Sequence, residues 1–140
     1  MRELLQIVCK PKAGSGLVVR PHPALPMMGL RLAPGCTACE ACFRACPTGA
    51  LEIAETDTAW SLTFEPDRCV ACEVCVEVCQ PGVLRAAAAL DAAPGRGKAT
   101  LHRLGKQRCL RCDRAFVSAE PRETCAICAD DEEAFEAIFG

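Results

Sequence analysis

The residues of this chain that could do chemistry are its cysteines, because thirteen of the 140 residues are cysteine and most of them lie in regular patterns. Residues 36–53 read CTACEACFRACPTGALEI, and residues 69–86 read CVACEVCVEVCQPGVLRA. The two segments agree at eight of eighteen positions: the four cysteines, Ala38/Ala71, Glu40/Glu73, Gly49/Gly82 and Leu51/Leu84. Since thiolates are the ligands that soft metals prefer, this repeat predicts two related metal-binding segments.

The spacing of both runs, C-x-x-C-x-x-C-x-x-x-C, is the pattern by which bacterial ferredoxins hold [4Fe-4S] clusters. In two-cluster proteins of this type, the fourth cysteine of each run ligates the other cluster. We therefore predict one ligand set of Cys36, Cys39, Cys42 and Cys79. The other set is Cys69, Cys72, Cys75 and Cys46. A disulfide framework or a zinc site is the alternative, and neither usually has eight cysteines at this doubled spacing.

A second cysteine pattern lies near the C-terminus, where Cys109-x-x-Cys112 and Cys125-x-x-Cys128 are separated by twelve residues. Two such knuckles can place four thiolates at the corners of a tetrahedron. We expect one structural zinc ion there, with rubredoxin-type iron as the alternative because it accepts the same four sulfurs. Local disulfides or free thiols are a further alternative. Since protein would fill all four positions, such a site has no place for a catalytic water.

The N-terminal part of the chain reads as a short helical segment followed by an extended arm. Residues 1–9 could form two helical turns that pack on their own domain or dock on a larger subunit. Cys9 has no partner at ligand spacing, so we interpret it as a small buried apolar residue. Residues 10–34 are too rich in Pro and Gly for a long helix, although a short strand at 16–20 is compatible with them. The apolar contact of this arm would come from Met27, Met28, Leu30 and Leu32.

The segments around the cluster cysteines predict short strands and helices in alternation. Residues 51–54 and 60–64 have the composition of strands, with a turn at 56–57. Residues 42–46 and 75–79 each open or lie in a short helix. The predicted fold class is therefore α+β: a bacterial two-[4Fe-4S] ferredoxin-like core with an extended N-terminal arm and a small C-terminal zinc-ribbon or rubredoxin-like knuckle.

The predicted organisation has four parts. They are an extended N-terminal docking arm (1–34), a two-[4Fe-4S] ferredoxin domain (35–90), a linker (91–104) and a four-cysteine metal-ribbon tail with a C-terminal helix (105–140). Residues 83–90 begin as a strand and could become helical along their alanines. The terminal helix at 130–139 has acidic residues in its first turn, where a helix favours them, and its apolar stripe either packs on the tail or docks on a partner.

Charge is distributed unevenly along the chain, whose formal net charge is −2. From Cys36 to Cys79 there are eight acidic and two basic residues, a balance of −6; from Arg85 to Arg114 there are eight basic and two acidic residues, a balance of +6. These stretches are solvated surface, or the basic one meets an acidic partner.

The sequence also bears on location. No apolar run reaches the roughly 18 residues of a transmembrane helix, and the first residues lack the apolar length of a signal peptide. We therefore expect a cytoplasmic protein, or one held on the cytoplasmic face of a membrane by its partner subunits.

Taken together, the doubled cluster run, the Pro-rich arm before it and the tail with two knuckles resemble the two-cluster iron–sulfur subunit of membrane-bound, formate-hydrogenlyase-type (group 4) [NiFe] hydrogenases. That subunit is related to the peripheral-arm ferredoxin subunit of respiratory complex I. The tail, with Cys109-Leu-Arg-Cys112-Asp-Arg-Ala-Phe116, points to the hydrogenase branch. The resemblance implies an electron wire between an electron-donor subunit and the hydrogenase module, with the eight core cysteines as cluster ligands and the four tail cysteines as a metal knuckle.

The leading hypothesis is a non-catalytic electron-transfer subunit that relays single electrons through two [4Fe-4S] clusters within a larger redox complex. The first alternative is a free, soluble, low-potential two-cluster ferredoxin, which needs neither arm nor tail. The second is a ribbon-type interaction module, but only Phe116 accompanies its arginines, and we expect no nucleic-acid partner. No nucleophile, base and orienting group occur together in a motif, so any catalytic chemistry would belong to another subunit.

Overall fold

The computed structural model describes residues 7, 18–20, 22, 24–91 and 97–131. The chain divides into two compact units. The N-terminal unit is Met1–Ala54 with Ser61–His102, and the C-terminal unit is Glu55–Trp60 with Arg103–Gly140. The predicted helix at 1–9, except Ile7, and the side chain of Cys9 lie outside the described residues.

The described elements are short, as the density of Gly, Pro and Cys predicts. In chain order they are β1 (Val18–Val19), β2 (Leu30–Leu32), α1 (Ala41–Arg44), β3 (Leu51–Glu55), β4 (Ala59–Phe64), a 3₁₀ turn (Pro66–Arg68), α2 (Val74–Glu77), β5 (Leu84–Ala86), β6 (Leu90–Asp91), β7 (Ala99–Arg108) and β8 (Ala115–Ser118). Residues 126–131 are also helical. Within these ranges, no helix has the length and apolar composition needed to cross a bilayer.

Three small sheets are formed by the described strands. β1 pairs with β6 and β2 pairs with β5, both antiparallel, with Arg31 opposite Arg85 in the second pair. The third sheet has the order β3-β4-β7-β8. These pairings give the mixed helix and strand architecture that the sequence predicts.

The β3–β4 hairpin was predicted closely from the sequence. Its strands are one residue longer than expected, at the C-terminal end of β3 and the N-terminal end of β4. The turn is closed by the backbone N–H of Thr56, which donates to the carbonyl of Ala59 (2.8 Å), and by the N–H of Ala59, which donates to the Thr56 hydroxyl (3.0 Å). A threonine whose hydroxyl bonds a nearby backbone N–H in this way favours a turn.

The predicted arm lies against its own unit wherever it is described. Its strands β1 and β2 pair with β6 and β5, and Met27 and Met28 are only 4% and 3% exposed. Val18–Val19 confirms part of the short strand expected at 16–20. The apolar contact of Met27 and Met28 is therefore made within the N-terminal unit, whose most buried large side chains include Leu51, Leu62 and Leu84.

Three segments differ from the sequence-based expectation. The alanines after β5 are not helical, because the N–H of Ala87 donates to the carbonyl of Gly29 (2.9 Å) and the chain then enters β6. The linker expected at 91–104 is shorter, because β7 begins at Ala99. Helical residues in the tail begin at 126 rather than 130, and residues 132–139 of the expected terminal helix lie outside the described residues.

Candidate metal centres

The backbone conformation of the two cysteine runs explains why residues other than the cysteines are also the same in both. Ala38 and Glu40 in the first run have φ of 54° and 62°, and Ala71 and Glu73 in the second have φ of 55° and 60°. This left-handed conformation costs an ordinary residue about 1–2 kcal/mol, and such strain persists where the surroundings impose it. The two reversals between the first and third cysteines curl each loop so that its thiols can share one centre.

The remaining repeated positions have equally clear roles. Gly49 and Gly82 have φ of 61° and 63°, which glycine adopts without steric cost. Leu51 and Leu84, two residues later, are each 1% exposed and anchor the following strands in the core. The eight repeated positions therefore comprise four cysteines, three left-handed residues and one core leucine.

The third and fourth cysteines of each run are set by α1 and α2. Glu40 and Glu73 stand at the N-caps of these helices. The carbonyl of Glu40 accepts from the N–H of Arg44 (3.0 Å), and that of Glu73 accepts from the N–H of Glu77 (3.2 Å). The backbones of both glutamates therefore stabilise the loops.

One cavity of the N-terminal unit gathers thiols from both runs. It is lined by the first three cysteines of the second run and the fourth cysteine of the first: Cys69, Cys72, Cys75 and Cys46. Its other walls include the apolar side chains of Met28, Leu30, Leu51 and Phe64. Four thiols around one apolar cavity form a donor set that suits a [4Fe-4S] group.

The pKa shifts of the other predicted ligand set also indicate that its fourth cysteine comes from the opposite run. Burial, together with the neighbouring thiols of Cys36, Cys39 and Cys79, raises the pKa of Cys42 to about 11, against a hydrogen bond from its own loop that lowers it. Burial likewise raises the pKa of Cys36, with contributions from Cys39 and Cys79. The fourth cysteine of the second run thus lies near the first three of the first run.

The second set shows matching interactions. Burial, together with the neighbouring thiols of Cys69, Cys46, Cys72 and Cys42, raises the pKa of Cys75 to about 11. Without a metal, these buried thiols would remain protonated at neutral pH, whereas coordination to a cation deprotonates a thiol outright. The sites therefore favour metal-bound sulfur over free thiolate.

Backbone N–H groups point at several of these sulfurs. The sulfur of Cys46 accepts from the N–H of Ala50 (3.2 Å), and that of Cys79 accepts from the N–H of Leu84 (3.4 Å). The N–H of Ala71 donates to the sulfur of Cys69 at 3.5 Å. Such bonds stabilise negative charge on sulfur and help to set the potential of an iron–sulfur cluster.

Solvent reaches each set through one equivalent position. Cys39 and Cys72, the second cysteine of each run, are exposed, while the other six core cysteines are buried or half-buried. Each predicted centre therefore has one exposed ligand among its four.

The tail cysteines form a much tighter group. The sulfurs of Cys109, Cys112, Cys125 and Cys128 all lie within 4.8 Å of one another, and those of Cys112 and Cys125 are 3.9 Å apart. A tetrahedron with metal–sulfur bonds of about 2.3 Å has edges of about 3.8 Å, so one zinc or iron ion fits this group. In the part of the chain that the structure describes, the eight N-terminal thiols form no comparably tight group.

The first knuckle is built on the end of β7. The N–H of Asp113 donates to the carbonyl of Cys109 (2.9 Å), the N–H of Cys109 donates to the carbonyl of Arg114 (3.0 Å), and Asp113 itself is left-handed with φ of 56°. Phe116, which lies on β8, packs against the buried cysteines of this group.

The second knuckle is held against the first by backbone donors. The N–H of Cys125 donates to the sulfur of Cys109 at 3.3 Å. That bond lowers the pKa of Cys109, whereas burial among the other thiols raises the pKa of Cys128. The Arg111 guanidinium donates to the carbonyl of Cys128 (2.9 Å), a contact that joins the two knuckles and that the cysteine spacing alone did not reveal.

Sequence reasoning also missed Thr48. Its hydroxyl oxygen lies 3.7 Å from the sulfur of Cys46. The signal that could have identified it is the alignment of the two runs, which places Pro81 opposite Thr48.

Comparison with known proteins bears on the first of these two regions. Residues 35–83 match the family model described as a 4Fe-4S dicluster domain, a range that contains both cysteine runs. No curated protein matches the chain. The match and the cysteine geometry identify a ferredoxin-like 4Fe-4S segment of the kind that transfers electrons, followed by a four-cysteine group that can hold a metal ion.

Proposed function

We propose that this chain relays single electrons through two [4Fe-4S] clusters as a non-catalytic subunit of a larger redox complex. The observation that carries the proposal is the cavity in which Cys46 joins Cys69, Cys72 and Cys75. A [4Fe-4S] cluster supplies one-electron chemistry, because it alternates between two oxidation states. The matched dicluster family supports this assignment.

In this proposal the protein positions and tunes the clusters. Cys36, Cys39, Cys42 and Cys79 hold one of them, and Cys69, Cys72, Cys75 and Cys46 hold the other. The left-handed residues curl the loops, and the backbone N–H groups stabilise charge on sulfur. The exposed Cys39 and Cys72 mark the positions at which electrons enter and leave.

The tail holds a structural metal ion, which we propose to be zinc, with rubredoxin-type iron as the alternative. Three of its four thiols are at most 7% exposed, while Cys112 is exposed. Coordination by four cysteines leaves no open position for a substrate, so the role of the ion is to fix the knuckles.

The larger complex we propose is a membrane-associated hydrogenase or complex I-like assembly on the cytoplasmic side. The resemblance of arm, doubled run and tail to hydrogenase subunits supports it. So does the surface of the tail, where Leu110 and Ile127 are 77% and 60% exposed beside the metal ligands. A free ferredoxin has no need for this tail.

The first experiment measures metal content. The full chain, purified anaerobically, should contain about eight irons and eight inorganic sulfides, together with one further metal, and its reduced form should give the electron paramagnetic resonance of interacting [4Fe-4S] clusters. About four irons would contradict the two-cluster proposal.

The second experiment tests the complex. The tagged chain is recovered anaerobically from detergent-solubilised cells of its source, with an untagged strain as control, and the co-purifying proteins are identified by mass spectrometry. A hydrogenase large subunit with membrane subunits supports the proposal. Recovery of the cluster-loaded chain alone would favour a free ferredoxin.

A further inference from the structure

The fourth cysteines of the two runs have different surroundings, although the runs are otherwise closely similar. After Cys46 the chain reads Pro-Thr-Gly, and after Cys79 it reads Gln-Pro-Gly. Pro81 thus occupies the position of Thr48. Proline has neither a hydroxyl nor a backbone N–H, so it cannot donate either of the hydrogen bonds that threonine can.

Thr48 has a hydroxyl that Pro81 lacks, and this hydroxyl lies near the ligand sulfur. Its hydroxyl lies 3.7 Å from the Cys46 sulfur, a distance compatible with a hydrogen bond to the large sulfur atom. When the sulfur is bound to iron it has no proton, and the hydroxyl must then be the donor.

We infer that Thr48 is a tuning residue, which raises the reduction potential of the cluster held by Cys69, Cys72, Cys75 and Cys46. Reduction adds negative charge to a cluster and its thiolates, and a donor directed at one sulfur stabilises the reduced form. Because Pro81 has no hydroxyl, the sulfur of Cys79 in the other cluster receives no equivalent hydrogen bond. This inference rests on the proposed two-cluster function.

Several contacts of the loops are shared and do not create this difference. Ala38 and Ala71 donate backbone hydrogen bonds to Cys36 and Cys69, the first cysteines of the two runs. The turns after the fourth cysteines are similar as well, since the N–H groups of Gly49 and Gly82 both donate to the carbonyl of that cysteine. Thr48→Val isolates the hydroxyl contact, because it keeps the backbone N–H of residue 48, whereas Pro81→Thr adds a backbone N–H as well as a hydroxyl.

The test is a reductive titration of the anaerobic, fully loaded chain, followed by electron paramagnetic resonance and resolved into one midpoint per cluster. Thr48→Val keeps the shape of the side chain and removes the donor, so one midpoint should become more negative while the other stays in place. Thr48→Ser keeps the hydroxyl and should restore the original value. Pro81→Thr should raise the midpoint that Thr48→Val leaves unchanged.

The inference is overturned if Thr48→Val moves neither midpoint, moves both equally, or is matched in its effect by Thr48→Ser. If Thr48→Val does not retain its iron, Pro81→Thr is compared with Pro81→Val, which adds the backbone N–H alone: a higher midpoint in Pro81→Thr supports the inference, and equal midpoints overturn it. Failure of the proposed function would be recognised separately, because the unmodified chain would then contain clearly fewer than the about eight irons of two clusters.

Discussion

Gly49 and Gly82 share one backbone conformation but have different neighbours. An ideal Cβ at Gly49 would lie 2.9 Å from the Arg68 guanidinium, whereas one at Gly82 would meet nothing within 4 Å. Alanine at either position should lose about 1–2 kcal/mol to the left-handed φ. Gly49→Ala should cost up to about 1 kcal/mol more, because it displaces the ion pair of Arg68 with Glu52, which is exposed and therefore weak.

The measurement for this pair is anaerobic thermal unfolding of the loaded chain, followed by circular dichroism and visible absorption. In an Arg68→Ala background the two alanine substitutions should become equally costly. A difference that persists there would show that Arg68 is not its cause.

The crossed ligation predicts which pairs of cysteine substitutions act on the same cluster. Cys46→Ser and Cys75→Ser should each reduce the iron content by about half, and combining them should remove no more, because both residues serve one cluster. Combining Cys46→Ser with Cys42→Ser should abolish both clusters. The measurements are iron analysis and paramagnetic resonance. If Cys46→Ser with Cys75→Ser removed both clusters and Cys46→Ser with Cys42→Ser removed only one, Cys46 would belong to the cluster of its own run.

At the scale of elements, the ribbon knuckles should lose their metal without affecting the clusters. Cys112→Ser removes one of four ligands from a site that needs all four, so one metal per chain should be released. About eight irons should remain, as measured by plasma emission spectrometry. Cys9→Ser is the matched control, because Cys9 belongs to neither pattern, and it should leave every metal in place. Loss of both clusters in Cys112→Ser would show that the metal sites depend on one another.

Much of the element structure could be predicted because short, strongly marked signals dominate it. The composition of 51–54 and 60–64 predicted β3 and β4, and the cysteine spacing predicted α1 and α2. The alanines at 87–89 were wrongly expected to be helical, because their intrinsic preference was overridden by tertiary pairing with the arm. Gly29 permits that pairing: a Cβ there would lie 3.0 Å from the carbonyl of Ala89.

Site details were predictable only where residue type decides them. The four tail ligands were identified from spacing, and the structure brings their sulfurs together. The contacts of Thr48 and Arg111 depend on how the backbone turns after Cys46 and between the knuckles, which no spacing encodes. They became visible only once the fold placed a hydroxyl and a guanidinium beside ligand residues.

At the scale of the whole molecule, the metals should contribute a large part of the stability. Few large side chains are fully buried in the described ranges, among them Leu51, Leu62 and Leu84, and small domains with thin cores rely on metals or disulfides. Removal of iron and of the tail metal by acid and chelator, followed by return to neutral pH under reducing conditions, should leave a chain without cooperative unfolding. Dispersed methyl resonances in the metal-free protein would contradict this expectation.

The grouping of Cys79 with Cys36, Cys39 and Cys42 also bears on the order of events during biosynthesis. Cys79 follows Cys36 by forty-three residues, so three of these thiols leave the ribosome well before the fourth. Cys46, in contrast, is already present when Cys69, Cys72 and Cys75 emerge. Maturation factors that deliver iron and sulfide would therefore find both ligand sets completed almost together, within the four residues from Cys75 to Cys79, and a nascent chain truncated before that point could complete neither.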